Sequence, residues 1–143
     1  MTPRTPSLRV TAPLRIVVAE QDDDMREAVA DELRRDGHLV AEVADGARLL
    51  SLLAQELDEE PGDIADVLVS DVKMPQVDGL DIVRALRGLG WLRPVVMLTN
   101  HETAAMSAEA RRLGVVMVEK PLDMVVLREV VRLFNRPTND RPN

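Results

Sequence analysis

Short apolar runs alternate along this chain with longer stretches in which apolar residues recur at helical spacing. Five runs have the length and composition of strands, and they cover residues 16–19, 39–43, 67–69, 95–98 and 115–118. In the stretch after the first run, Met25, Val29 and Leu33 fall on one helical face, and Gly37 is suited to end the helix. Further helices are predicted at about 47–57, 80–89, 102–113 and 122–134.

Strands that alternate with helices predict βαβ units, and therefore a parallel sheet covered by helices on both faces. Most of the runs are apolar at every position, as expected of strands buried on both sides. The second run contains Glu42, so we place it at an edge of the sheet. Five units of this size predict an α/β fold of the flavodoxin-like, doubly wound (βα)5 type, with strand order 2-1-3-4-5.

Prolines mark the two ends of the chain. Five of the nine prolines lie at Pro3, Pro6, Pro13, Pro137 and Pro142. With their polar neighbours they predict disordered tails at 1–13 and 136–143, around one domain at 14–135.

Composition excludes several classes of protein. The chain has no Cys, so it has neither a disulfide framework nor a Cys metal site, and we expect a cytoplasmic protein. No apolar run approaches the length of a membrane span, and the N-terminus lacks an apolar signal core. The net charge of −7 argues against nucleic-acid binding by the domain as a whole.

Polar residues of complementary types follow four of the predicted strands, where doubly wound folds bind ligands. They are Glu20, Gln21 and Asp22 after the first run, Asp71 after the third, Thr99 and Asn100 after the fourth, and Lys120-Pro121 after the fifth. Polar residues at strand ends can also simply face water. An acidic loop would repel phosphate unless a divalent cation intervened, so the acids indicate Mg²⁺ and, with it, a phosphoryl group. Lys120 and Thr99 would hold that group, and Asp71 could accept it covalently.

Three stretches resemble the response-regulator receiver domain of two-component signalling. "DVLVSDVKMPQVDGLDIVRALR" contains Asp71, Met74-Pro75 and Asp78-Gly79, "PVVMLTN" ends the fourth run, and "LGVVMVEKP" contains Lys120-Pro121. The resemblance covers roughly residues 15–134. It implies that this is a signalling domain rather than an enzyme, apart from Mg²⁺-dependent phosphoryl transfer to itself and autodephosphorylation.

The resemblance also implies roles for individual residues. Asp71 would be the phosphoacceptor, and its donor would be a histidine kinase or a phosphotransfer protein. Thr99 would bind the phosphoryl oxygen, and Lys120, joined to Pro121 by a cis bond, would pair with Asp71 and then with the phosphoryl group. Glu20, Asp71 and the main-chain carbonyl of Lys73 would bind Mg²⁺.

Three positions depart from the family pattern. Gln21 stands where relatives carry the carboxylate that binds Mg²⁺ directly, so we expect weakened metal binding unless Glu20 or Asp22 compensates. Met117 replaces an aromatic ring that moves with the Thr. Asn100 replaces a small residue and would either crowd the phosphoryl group or orient a water beside it.

The last predicted helix carries an apolar arc wider than docking on a sheet requires. Either the helix is deeply buried, or Met124, Leu127 and Val131 form a docking or dimer surface with the fourth helix and fifth strand. No motif of a second domain follows, and the start at Met1 favours a single-domain regulator over an excised receiver.

Two rival functions stay open. The first is a degenerate, phosphorylation-independent receiver that acts as a binding, scaffold or dimerisation module. The second is a dehalogenase-type phosphatase, which Asp71-Val72-Lys73 fits poorly because it lacks the second Asp of an Asp-x-Asp motif.

Overall fold

The computed structural model describes residues 13–58 and 65–135. Its elements follow one another in the order β1 (Arg15–Ala19), α1 (Asp23–Arg35), β2 (Leu39–Val43), α2 (Gly46–Asp58), β3 (Val67–Asp71), β4 (Lys73–Met74), β5 (Val77–Asp78), α3 (Gly79–Gly88), β6 (Val95–Thr99), α4 (Ala104–Leu113), β7 (Val115–Glu119) and α5 (Met124–Phe134). All five predicted strands and all five predicted helices are present. The predicted tails lie outside the described residues, except for Pro13.

Five strands form one parallel sheet in the order β2-β1-β3-β6-β7. Since β6 and β7 are the fourth and fifth strands of this sheet, the predicted order 2-1-3-4-5 is confirmed. The strand that contains Glu42 lies at an edge, as predicted. None of the helices in the described part of the chain is long and apolar enough to cross a membrane.

Alternate residues of each central strand enter two separate cores, because successive side chains of a strand point to opposite faces. In β1, Ile16 and Val18 face the core formed with α1 and α5. Val17 and Ala19 face the core formed with α2, α3 and α4. The helices therefore cover both faces of the sheet, and the polar residues that follow each strand are left at its rim.

Side-chain caps fix where the helices begin. The carboxylate of Asp22 accepts a hydrogen bond from the main-chain N–H of Met25 and starts α1. Asp78, Thr103 and Asp123 play the same role for α3, α4 and α5. As a result, α4 and α5 each start two residues later than predicted.

The prediction for the surface of α5 is wrong at two residues. Leu127 and Val131 are fully buried in the core shared with α1, so they do not form a docking surface. Met124 is half-buried against the same core. The exposed apolar residues of this helix are instead Val125, Val126 and Leu133. Because α5 is apolar around most of its circumference, the pattern alone did not show which side faces the sheet.

Candidate functional site

Four side chains with complementary chemistry meet at the carboxyl edge of the parallel sheet. Asp71 and Thr99 are the last residues of β3 and β6, while Glu20 and Lys120 directly follow β1 and β7. Parallel strands end at the same edge, and β1, β3, β6 and β7 are consecutive neighbours. The topology therefore brings the predicted residues together.

Lys120 joins the two buried carboxylates. Its Nζ lies 2.8 Å from Oδ1 of Asp71 and 2.9 Å from Oε1 of Glu20. Asp71 is 2% exposed and Glu20 is 1% exposed. One ammonium thus faces two carboxylates that are themselves almost completely buried.

The two contacts of Lys120 differ in geometry. The contact with Glu20 is a hydrogen bond, whereas the contact with Asp71 is a close ion pair whose angles do not form one. Among the described residues, Oδ1 of Asp71 has no hydrogen-bond partner although it is buried. A buried carboxylate oxygen that lacks a donor is available to a cation or to a phosphorus atom.

Electrostatics in this site favour an added positive charge. Burial and the neighbouring Glu20 carboxylate raise the pKa of Asp71 to about 7, and the contact with Lys120 offsets part of that rise. Burial lowers the pKa of Lys120, but its contacts with Asp71 and Glu20 outweigh burial, so the pKa is raised overall. Lys120 is therefore positively charged near neutral pH.

The residues after Glu20 do not bring a third carboxylate to the site. The side chain of Asp22 is engaged as the cap of α1. Gln21 contributes its main-chain N–H, which lies 3.5 Å from Oδ2 of Asp71, and it lines the pocket beside Asp71. No cluster of three His, Cys, Asp or Glu residues that could hold a metal ion occurs within residues 13–58 and 65–135.

The oxygen atoms of this site nevertheless suit a magnesium ion. Two carboxylates supply less negative charge to the ion than three would. Mg²⁺ prefers oxygen ligands and is commonly bound through one or two carboxylates with water and phosphate oxygens. Glu20 and Asp71 are two such carboxylates, and the amide of Gln21 could add a neutral oxygen. Lys73, the predicted main-chain ligand, borders the same pocket.

A pocket of about 380 Å³ opens above Asp71. Thr99 lines it, but its hydroxyl is engaged with the main chain of His101: Oγ1 accepts from the N–H at 3.2 Å and donates to the carbonyl at 3.1 Å. Asn100 is exposed at the wall of this pocket. Met117, on β7, is half-buried and packs against the core formed with α2, α3 and α4. The Lys120–Pro121 bond is cis, as expected.

Backbone packing beneath Asp71 explains the glycine at position 79. The N–H of Gly79 donates to the carbonyl of Val72 at 2.6 Å, and a Cβ on Gly79 would collide with the main-chain carbonyl of Asp71. Only glycine leaves room for this approach. The loop that follows β3 is therefore held directly against the α3 N-terminus.

Two contributions to the site were not predicted from the sequence. Nη1 of Arg26 donates to the main-chain carbonyl of Glu20 at 2.9 Å and so fixes the acidic loop from α1. Thr103 and Met106, from the start of α4, line the pocket. No sequence motif links Thr103 and Met106 to Asp71, so their place in the pocket follows only from the fold.

Comparison with known proteins points to one family. The sequence profile of the response regulator receiver domain matches residues 16–132. The response regulator protein PmrA of Pseudomonas aeruginosa is 33% identical over 129 residues, which cover 90% of this chain and 55% of that protein. The response regulator MprA of Mycobacterium tuberculosis is 35% identical over 92 residues, or 64% of this chain and 37% of that protein. The chain therefore spans about half or less of the length of these relatives.

A solved structure shares the architecture. The chemotaxis response regulator CheY4 of Vibrio cholerae aligns with a TM-score of 0.72 at 25% identity, over 86% of this chain and 99% of that one. The similarity therefore covers most of this chain and nearly all of the other.

Proposed function

This chain belongs to the response-regulator receiver family, and we propose that it accepts a phosphoryl group on Asp71 from a histidine kinase or a phosphotransfer protein. One observation carries the proposal: Asp71 is a buried carboxylate whose Oδ1 contacts the Lys120 ammonium without a hydrogen bond, and it borders a pocket that Thr99 also lines. The family as a whole consists of signalling domains rather than classical enzymes, and a cytoplasmic location is part of the proposal.

In the proposed transfer, one carboxylate oxygen of Asp71 attacks the phosphorus atom of a phosphohistidine. A P–O bond forms, the P–N bond breaks, and its electron pair returns to the imidazole nitrogen of the donor. When the other ring nitrogen of the phosphohistidine carries a proton, the products are an acyl phosphate on Asp71 and a neutral donor histidine. The ammonium of Lys120 contacts the carboxylate of Asp71. From this position it can stabilise the negative charge that develops on the phosphoryl oxygens.

Glu20 and Asp71 would hold Mg²⁺, together with the main-chain carbonyl of Lys73 and the amide of Gln21. When bound, the ion neutralises charge on the phosphoryl oxygens. Asp22 is a weaker candidate, since it would have to release the N-terminus of α1 to reach the site.

Thr99 provides the proposed link from Asp71 to α4. To hydrogen-bond a phosphoryl oxygen, its hydroxyl must leave the main chain of His101. That loop leads directly into α4, which buries only Ala110 fully and is therefore weakly anchored. Phosphorylation would shift an existing equilibrium between two positions of this loop and helix.

The proposed output surface consists of α4, β7 and α5, and it would bind a downstream protein or a second copy of this chain. Exposed apolar side chains support it: Val116 on β7, with Val125 and Val126 on α5. They take the place of Leu127 and Val131, which the sequence pattern predicted for this surface. No role in binding nucleic acid or membrane is proposed for this domain.

A phosphorylation-independent binding module is the second candidate, and the loop after β1 favours it. Gln21 brings no charge, and Asp22 is engaged in a helix cap, so the metal site holds two carboxylates instead of three. If Mg²⁺ binds too weakly, Asp71 would stay unmodified and the domain would act only through its surfaces.

Intact-mass spectrometry after incubation with acetyl phosphate separates the two candidates. We expect an adduct of one phosphoryl group that requires Mg²⁺ and is absent from Asp71→Asn. The matched control is Asp45→Asn, a surface carboxylate beside α2 that should leave the adduct unchanged. Absence of an adduct both with acetyl phosphate and with a phosphorylated phosphotransfer protein, at saturating Mg²⁺, would contradict phosphorylation of Asp71 and favour the binding module.

A further inference from the structure

A second groove lies at the end of the sheet opposite Asp71, where β6 and β7 begin. It has a volume of about 580 Å³, and its lining includes Arg87, Leu92, Pro94, Arg111, Arg112 and Phe134. We call it the arginine groove. Five-residue strands at about 3.3 Å per residue put it roughly 15 Å from the phosphoacceptor edge. It is therefore separate from the site described above.

The charge of the arginine groove is opposite to that of the chain. The 143-residue chain carries a net charge of −7, yet three arginines and no Asp or Glu line this groove in the described part of the chain. Arg111 is exposed and makes no ion pair with any residue in 13–58 or 65–135. Arg112 pairs with Glu109 on the same helix. A positive concavity on an acidic protein attracts a negatively charged ligand.

Arg87 is held rigidly at the wall of the arginine groove. Its Nε donates to the carbonyl of Leu113 at 2.9 Å, and its Nη1 donates to the carbonyls of Trp91 and Arg93 at 3.1 and 2.8 Å. The guanidinium also lies 5.7 Å from the centre of the Trp91 ring. All these partners are neutral, so the positive charge of Arg87 is positioned but not cancelled.

Leu92 and Phe134 line the groove with the arginines, and two exposed leucines lie close to them in the sequence. Leu92, in the groove lining, is 74% exposed, and Leu89, three residues before it, is 68% exposed. Leu133 is exposed next to Phe134 at the end of α5. Exposed leucines beside a charged concavity are typical of protein-binding surfaces rather than of sites for small anions.

We propose that the arginine groove binds an acidic, leucine-containing segment of a partner protein. Carboxylates of that segment would pair with Arg111 and Arg112 and approach Arg87, and its leucines would cover Leu92 and Phe134. A nucleic acid would also be attracted to these arginines, but the acidic remainder of the domain would repel a long polyanion. The contact lies at the end of the sheet opposite Asp71 and would tether the domain to its partner.

Fluorescence anisotropy with a labelled peptide of alternating Glu-Glu and Leu-Leu pairs tests the proposal on the 143-residue chain. Binding should weaken as salt rises, and Arg111→Glu should weaken it by about fivefold to tenfold. Leu92→Ser should also weaken it, whereas Arg48→Glu, the same change at an exposed arginine of α2, should alter it by less than about twofold. Trp91, the single tryptophan, should report binding through Arg87 by a change in emission.

Several results would overturn the proposal. One is equal binding of peptides in which Lys replaces Glu or Ser replaces Leu. Another is unchanged affinity in both Arg111→Glu and Leu92→Ser while circular dichroism shows that both are folded. Tighter binding of a single-stranded oligonucleotide than of the acidic peptide, lost in Arg111→Glu, would assign the groove to nucleic acid instead.

Discussion

Nζ of Lys120 lies 2.8 Å from Oδ1 of Asp71 but does not satisfy it with a hydrogen bond, and Glu20 shares the same ammonium. Two buried carboxylates compete for one cation. The site is therefore built to receive further positive charge, and its stability has to depend on the protonation of Asp71.

The first prediction concerns pH. The pKa of Asp71 is raised from 3.8 to about 7 in the folded protein, so the folded state holds this proton more tightly than the unfolded state. The contribution of Asp71 to stability is present below pH 4 and is lost as pH rises through about 7. In EDTA at pH 8, Asp71→Asn should be more stable than wild type by on the order of 2 kcal/mol.

Urea denaturation at pH 5 and at pH 8 measures this effect. The difference between Asp71→Asn and wild type should be larger at pH 8, where the wild-type carboxylate is ionised. Asp66→Asn, a change at a carboxylate paired with Arg93 near the opposite end of β3, is the control and should not stabilise the protein at pH 8. An equal effect of Asp71→Asn at both pH values would show that the carboxylate is ionised throughout.

The second prediction concerns Gln21. Restoring a carboxylate with Gln21→Asp adds one negative charge beside Glu20 and Asp71, and Mg²⁺ affinity measured by calorimetry should increase by about tenfold, or 1.4 kcal/mol. Gln55→Asp on exposed α2 adds the same charge away from the site and serves as the control. Equal Mg²⁺ affinity of Gln21→Asp and wild type would mean that position 21 does not reach the ion.

The third prediction concerns the close approach of Gly79 to Asp71. In Gly79→Ala the new methyl group meets the main-chain carbonyl of Asp71, and the free energy of unfolding should fall by about 2–3 kcal/mol. Gly88→Ala, in the same helix, meets nothing within 4 Å and should be neutral or stabilising by up to about 1 kcal/mol. Similar losses in both variants would show that loop packing beneath Asp71 is loose.

The fourth prediction tests the orientation of α5. Leu127→Ala empties a fully buried position and should cost about 3 kcal/mol of unfolding free energy. Leu133→Ala makes the same change at a side chain that is 63% exposed, and it should alter stability by less than about 0.5 kcal/mol. Chemical denaturation of the two variants compares them directly, and the reverse order would place the other face of α5 against the sheet.

The sequence predicted the sheet and the members of its carboxyl edge because their causes are local. Alternating strand and helix patterns determine a parallel sheet, and parallel strands end together, so Glu20, Asp71, Thr99 and Lys120 had to meet. Glu42 marked β2 as an edge strand for an equally simple reason: a charged residue avoids a strand covered on both faces.

The features that the sequence missed depend on tertiary packing. The two-residue strands β4 and β5 are too short to show a period. α5 is apolar around most of its circumference, so only its contact with α1 selects Leu127 as a buried residue. From the sequence, the carboxylate of Asp22 could serve either as a helix cap or as a metal ligand. In the structure it caps α1.

Locating the acyl phosphate by chemical trapping tests the central claim most directly. After incubation with acetyl phosphate and Mg²⁺, borohydride reduces an aspartyl phosphate to homoserine, and tandem mass spectrometry of the digest identifies the converted position. The account predicts homoserine at position 71 and at no other aspartate. A phosphoryl adduct that resists borohydride, or conversion at Asp22 or Asp78 with Asp71 intact, would contradict it.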